Sequence, residues 1–129
     1  MEIKIPYGKE KQALDIAEAC LNGVLLSQIE DYHPEKSQSE LVAAAIANPE
    51  GSDKLCQLAI GKQKIVIIAS DHTRPVPSKI IMPLMLKEIR RGNPAAEITI
   101  LIATGFHRLT TREELVGKFG ETIVDTEKI

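Results

Sequence analysis

The stretch Lys64-Ile65-Val66-Ile67-Ile68-Ala69-Ser70, in the middle of the chain, is a continuous run of β-branched and small apolar residues. That is the pattern of a strand buried on both faces, since a strand with one wet face alternates apolar and polar positions. Ile98-Thr99-Ile100-Leu101-Ile102-Ala103 has the same character. Between the two runs, Ser78 to Arg91 places Ile80, Ile81, Leu84, Met85 and Ile89 at the spacing of one helix face. Gly92-Asn93-Pro94 ends that pattern. Pro83 lies inside it and lacks the N–H that a helix ladder needs, so the spacing predicts a kink, or a helix that begins near Pro83. Strand, helix and strand in about forty residues make a βαβ unit. The fold expected is α/β: a Rossmann-like open, mostly parallel sheet with flanking helices.

Toward the N-terminus, Ser37-Gln38-Ser39-Glu40 reads as a capping box opening a helix that runs to about Ala47, where Asn48-Pro49 stops it. Ser52 is placed to cap a second short helix through Leu58. Glu2-Ile3-Lys4-Ile5 alternates as a half-buried strand does, and Pro6-Tyr7-Gly8-Lys9 has turn composition. Lys11 to Leu26 fits a helix or a return strand, and periodicity does not decide between them. Toward the C-terminus, a helix is expected from Thr110 or Thr111, where Thr111-Arg112-Glu113-Glu114 resembles a cap, to near Gly117, and Thr122-Ile123-Val124 suggests a short strand.

The 129 residues suffice for a single α/β domain spanning 1–129 and are too few for two. A net charge of −2, with sixteen basic and eighteen acidic residues interspersed, argues against nucleic acid or an anionic membrane as partner. No apolar run approaches the roughly 18 residues that span a bilayer, and the first residues lack the apolar core of a signal peptide. A cytoplasmic location is the expectation. Cys20 and Cys56 stand in no metal-ligand or redox spacing and read as two buried free thiols; no metal ligand is assigned.

Two loops carry chemistry. In open α/β sheets ligands bind beyond the carboxyl ends of parallel strands, and both loops fall there. The first, Asp71-His72-Thr73-Arg74, puts an acid, an imidazole, a hydroxyl and a guanidinium in four consecutive residues ahead of Pro75 and Pro77. Arg74 can grip a carboxylate or phosphate with two parallel hydrogen bonds, and Asp71 can position it or accept a proton. Ser78, near the helix start, adds a hydroxyl where backbone N–H groups favour anions. The second loop, Thr104-Gly105-Phe106-His107-Arg108, brings His107 to the same crevice. Imidazole suits general acid–base work because it ordinarily titrates near neutrality, at about 6.5. The bland alternative is a salt-bridged helix N-terminus with a surface histidine beside it. Lys79 and Arg108 read as solvated, and His33 has no assigned role. Dinucleotide, nucleotide-triphosphate, zinc-protease and serine-hydrolase signatures are absent.

The segments SDHTRPVPSK at 70–79, ATGFHR at 103–108 and TTREEL at 110–115 together resemble the N-terminal part of the nickel-pincer-dependent lactate racemases. The likeness extends to IKIPYGK at 3–9, NPEGSDKL at 48–55 and KFGETIV at 118–124, so it covers nearly the whole chain. Leu109 departs from it, since the family commonly has proline there. The resemblance implies a nickel pyridinium-3,5-bisthiocarboxylic acid mononucleotide that takes hydride from C2 of lactate, giving a transient pyruvate, and returns it to either face. It implies that His107 is one of two acid–base histidines, that Asp71, His72, Thr73 and Arg74 contact cofactor and substrate, and that Arg74 steers the substrate carboxylate. It also tips residues 2–17 toward a β-hairpin.

The family's second histidine, cofactor-bearing lysine, nickel-ligand histidine and C-terminal part match nothing in these residues. The expectation is therefore a truncated N-terminal portion that alone neither racemises lactate nor holds nickel, and that is prone to self-association. Two alternatives stand beside it: a racemase or epimerase of another 2-hydroxy acid, and a non-catalytic binding module that keeps the loops.

Overall fold

A computed structural model describes residues 1–129, the side chain of Glu30 apart. The chain divides into two compact units, Met1–Pro34 and Glu35–Ile129. The first is an antiparallel hairpin of β1 (Glu2–Tyr7) and β2 (Glu10–Asp15), with Glu2 opposite Asp15 and Tyr7 opposite Glu10. The hairpin is as the family likeness implies, but the turn is shorter than its composition suggests. Pro6 and Tyr7 stay in the strand, and Gly8, at φ 61°, makes the reversal with Lys9. Pro6 is tolerated because a two-stranded ribbon is all edge. For the same reason the pattern is not half-buried: nearly every residue of both strands is exposed.

The second unit runs α1 (Gln38–Ala47), α2 (Leu55–Ala59), β3 (Lys64–Ser70), α3 (Ser78–Gly92), β4 (Glu97–Ala103), α4 (Arg112–Phe119) and α5 (Glu121–Thr126). The capping box opens α1 as expected. Ser37 N–H donates to Glu40 Oε2 at 2.8 Å, Glu40 N–H donates back to Ser37 Oγ at 3.3 Å, and the carboxyl of Glu40 is held below its usual range by the Ser37 side chain. Ser52 does not cap α2. Lys54 precedes that helix, its backbone N–H donating to Gln57 Oε1 at 3.1 Å. The helix between the two central strands starts at Ser78, not at Pro83, which it carries in its interior.

β3 and β4 pair in parallel, Lys64 opposite Glu97 and Ser70 opposite Ala103. In place of a Rossmann-like open, mostly parallel sheet, the described residues form this two-stranded parallel sheet and the separate hairpin. Beyond it there is one isolated parallel bridge, Thr99 to Lys128, where Ile100 N–H donates to Lys128 O at 2.8 Å. The strands are not buried on both faces either. Ile65, Ile67 and Ala69 join Ile98, Ile100 and Ile102 on the inner face, against Met82, Leu86 and Ile89 of α3, Phe119 of α4 and Ile123 of α5. Val66, Ile68 and Leu101 point out of the other face and are exposed. Each fully buried isoleucine, such as Ile89 or Ile100, contributes roughly 1.5–3 kcal/mol relative to exposure, so the inner face carries the stability of this unit.

Two further expectations are corrected. Thr122-Ile123-Val124 is helical, not a strand: Gly120 breaks the chain at φ 92°, Glu127 N–H reaches Ile123 O at 2.9 Å, and Ile123 is buried beside Phe119. Core packing here overrides the β preference of the residues. Neither cysteine is buried, though both are free; Cys20 is exposed and Cys56 partly so. No described helix is long and apolar enough to cross a membrane.

Candidate active site

Because β3 and β4 are parallel and in register to their ends, the loops that follow them leave from the same edge of the sheet. Asp71 organises the first. Its Oδ1 accepts from Thr73 N–H at 3.2 Å and from Thr73 Oγ at 2.7 Å, while its carbonyl accepts from Arg74 N–H at 3.3 Å. This is an aspartate folding its own loop into a turn. The second loop closes through His107 N–H to Thr104 O at 3.0 Å. Gly105, at φ 57°, occupies the turn position that requires a left-handed backbone.

The two turns meet through side chains. His107 Nδ1 lies 2.5 Å from Asp71 Oδ2. Asp71 is 2% exposed, whereas the His107 side chain is 45% exposed, so the pair joins a buried anion to an imidazole that faces out. The Thr73 hydroxyl, followed by His107 and the Thr73 backbone N–H, holds the Asp71 carboxyl down at about 2, against the opposing effect of burial. An ionised carboxylate only accepts, so Nδ1 of His107 carries the hydrogen, and in the neutral ring Nε2 is left with its lone pair.

A second carboxylate sits one step along. Glu114 Oε1 and Oε2 accept from Arg108 Nη2 at 2.7 Å and Nη1 at 2.9 Å, and Oε2 also accepts from Thr111 N–H at 2.8 Å. His72 Nε2 lies 3.5 Å from Glu114 Oε1, and its Nδ1 lies 3.3 Å from Thr110 Oγ1. Arg108 first, then the Thr111 backbone, brings the Glu114 carboxyl down to about 2. Arg108 is thus paired and not merely solvated. Thr111 caps α4 as its sequence suggests, and the helix runs past Gly117 to Phe119.

Of the expected site residues, the structure brings Asp71, Thr73 and His107 together. The Asp71 carboxylate meets Thr73 and His107, and its hold on Arg74 is through the backbone carbonyl. Arg74 is exposed and forms no ion pair among the described residues. It lines a cavity of about 470 Å³ with His72, Lys79, Glu114 and Lys118, to which Asp71 and His107 do not contribute. Lys118 Nζ donates to the Arg74 carbonyl at 3.0 Å and ties the loop to α4. Glu114, Thr110 and Lys118 are contacts that sequence reasoning missed; the capping pattern marked Glu114 only as a helix residue.

The two carboxylates set an acid limit. Their folded values of about 2 lie below the ordinary 3.8 of Asp71 and 4.5 of Glu114. Their contribution is therefore full above about pH 4.5 and is lost as pH falls toward 2. Urea unfolding followed at pH 6, 4, 3 and 2 should show stability falling within that window. D71N and E114Q should each flatten part of the fall. A wild-type stability that is level from pH 5 to 2 contradicts the assignment.

The sequence pattern of the lactate racemase N-terminal domain matches residues 7–129. The lactate racemase of Thermoanaerobacterium thermosaccharolyticum is 51% identical over 126 residues, covering 98% of this chain and 30% of that protein. The lactate racemase of Lactiplantibacillus plantarum is 52% identical over 127 residues, with the same shares of 98% and 30%. The solved structure of the lactate racemase apoprotein from T. thermosaccharolyticum superposes with a TM-score of 0.85 at 49% identity, covering 99% of this chain and 29% of that one. The chain spans about 30% of the length of the curated relatives it matches. It belongs to the lactate racemase N-terminal domain family.

Proposed function

We propose that this chain supplies one acid–base group of a racemase acting on a small 2-hydroxy acid, with lactate the favoured substrate. The observation that carries the reading is the 2.5 Å contact between buried Asp71 and outward-facing His107 at the ends of β3 and β4. With Nδ1–H held by Asp71, Nε2 is the base that takes the C2 hydroxyl proton as C2 becomes planar. The imidazolium so formed is stabilised by the Asp71 anion and returns the proton in the reverse step. Arg74, which forms no ion pair among the described residues, has a guanidinium fork suited to the substrate carboxylate. Within the loop that the resemblance gives to cofactor and substrate, Asp71 and Thr73 serve His107, and Arg74 is free for an anion.

Hydride removal and return are the chemistry of the nickel pyridinium-3,5-bisthiocarboxylic acid mononucleotide that the family likeness implies. Among the described residues no three His, Cys, Asp or Glu side chains are grouped to hold a metal ion by themselves. In this reading the family's nickel-ligand histidine lies outside the segment that this chain matches.

The test is a chimera. The matching segment of the T. thermosaccharolyticum lactate racemase is replaced by this chain, and conversion of L-lactate to D-lactate is followed. Racemisation at a rate within about tenfold of the parent supports the assignment. A chimera that folds and carries nickel but leaves lactate unchanged refutes it, and turnover of a different 2-hydroxy acid would then identify the alternative substrate.

A further inference from the structure

The contact between Asp71 and His107 is repeated one residue further along each loop. His72 and Arg108, their immediate successors, meet the same carboxylate, Glu114 of α4, at 3.5 Å for the imidazole and at 2.7 and 2.9 Å for the guanidinium. The two loops are thus joined twice, once directly at the dyad and once through Glu114. We propose that Glu114 is a positioning residue, a latch between the loops that keeps His107 aligned on Asp71 and so fixes the tautomer of its ring.

His107 is 45% exposed, and apart from the Asp71 contact and its closing backbone bond no described hydrogen bond holds it. Loops at sheet ends open locally at low cost. Arg108 follows His107 directly, so fixing its guanidinium at two points on one carboxylate limits the rotation of the His107 backbone. Glu114 is itself fixed: it sits on the first turn of α4, and one of its oxygens accepts from Thr111 N–H at 2.8 Å. On the other loop, His72 Nε2 approaches Glu114 at 3.5 Å and its Nδ1 lies 3.3 Å from the Thr110 hydroxyl, so the residue beside Asp71 packs against the same carboxylate. Among the described residues Glu114 makes no hydrogen bond or ion pair with His107 or Asp71, so its action on the ring is indirect.

The role of Glu114 in catalysis rests on the reading of His107 as the base, but its effect on the ring does not, and it is measurable in this polypeptide without cofactor or substrate. Ring ¹⁵N spectra at alkaline pH, where the imidazole is neutral, report the tautomer. Wild type should show His107 as the Nδ1–H form alone. E114Q and R108Q should each show a mixture with the Nε2–H form, the preference of an unconstrained imidazole, and exchange of the Nδ1 proton with solvent should rise about tenfold. T111A is the control, because it removes the Thr111 hydroxyl from the helix cap but leaves both Arg108 bonds to Glu114. It should keep the single tautomer even if α4 is equally destabilised. Retention of one tautomer in E114Q and R108Q overturns the proposal, and so does an equal change in T111A. Loss of turnover in a chimera with an unchanged tautomer would count against Glu114 as a latch while leaving His107 as the base.

Discussion

Replacing His107 by alanine in the chimera is expected to lower kcat for lactate racemisation by about 10²- to 10⁴-fold, the range lost when a positioned acid–base group is removed. The effect should fall on kcat, since the side chain is exposed and supports no core packing. Circular dichroism of the variant should match the parent. Asp71→Asn should land in the same range for a different reason. An amide at 71 can donate to Nδ1, which puts the ring hydrogen on Nε2 and removes the lone pair that takes the substrate proton. Ring ¹⁵N spectra separate the two cases: the alanine variant has no imidazole signal at 107, whereas the asparagine variant keeps one, in the Nε2–H form. A kcat within about threefold of the parent in both variants would remove His107 from the mechanism.

The largest expected effect on stability comes from a glycine with no role in the site. Gly92 ends α3 where α2 crosses it. A Cβ there would lie 1.8 Å from the Cys56 carbonyl oxygen and 2.6 Å from its carbon. These are backbone atoms, so no rotamer change relieves the clash. Neighbouring contacts restrain the backbone: Asn93 Nδ2 donates to Ala59 O at 3.1 Å and to Lys62 O at 2.7 Å, and Arg91 Nη2 lies 3.1 Å from Cys56 Sγ. Alanine in place of glycine ordinarily favours a helix by up to about 1 kcal/mol. Here overpacking outweighs that gain, and Gly92→Ala should cost about 3 kcal/mol net, a large share of a domain's stability. Urea unfolding followed at 222 nm measures it. An alanine variant as stable as wild type would mean that α2 yields freely.

Much of the fold was legible because its signals are local. The apolar runs gave β3 and β4, Ser37 and Glu40 gave the start of α1, and Thr111 gave the start of α4. What was not legible depends on partners distant in sequence. The run from Lys64 to Ser70 predicts burial on both faces, but only one face meets helices. Thr122-Ile123-Val124 has strand composition, yet Ile123 is drawn into a helix by the core beside Phe119. Gly92 reads as a helix stop, and its real constraint, the Cys56 carbonyl, lies 36 residues earlier.

The site divides in the same way. The residue types in the two loops pointed to anions and proton transfer, but not to which acid meets which base. Asp71 lies nearer in sequence to Arg74 than to His107. The chain pattern brings both loops to one crevice, but pairing Asp71 with His107 required the register in which β3 and β4 end. Glu114 escaped notice because a capping glutamate is fully explained by its helix until Arg108 and His72 are seen to share it.

The exposed outer face of the parallel sheet has a practical consequence. Val66, Ile68 and Leu101 offer a native apolar surface to any hydrophobic dye, so fluorescence from such a dye will be high before unfolding begins. The chain contains no tryptophan to serve as an internal reporter instead. A bright dye signal from this polypeptide is therefore a property of its folded form and no sign of a molten state, and melting curves recorded that way will misplace the transition.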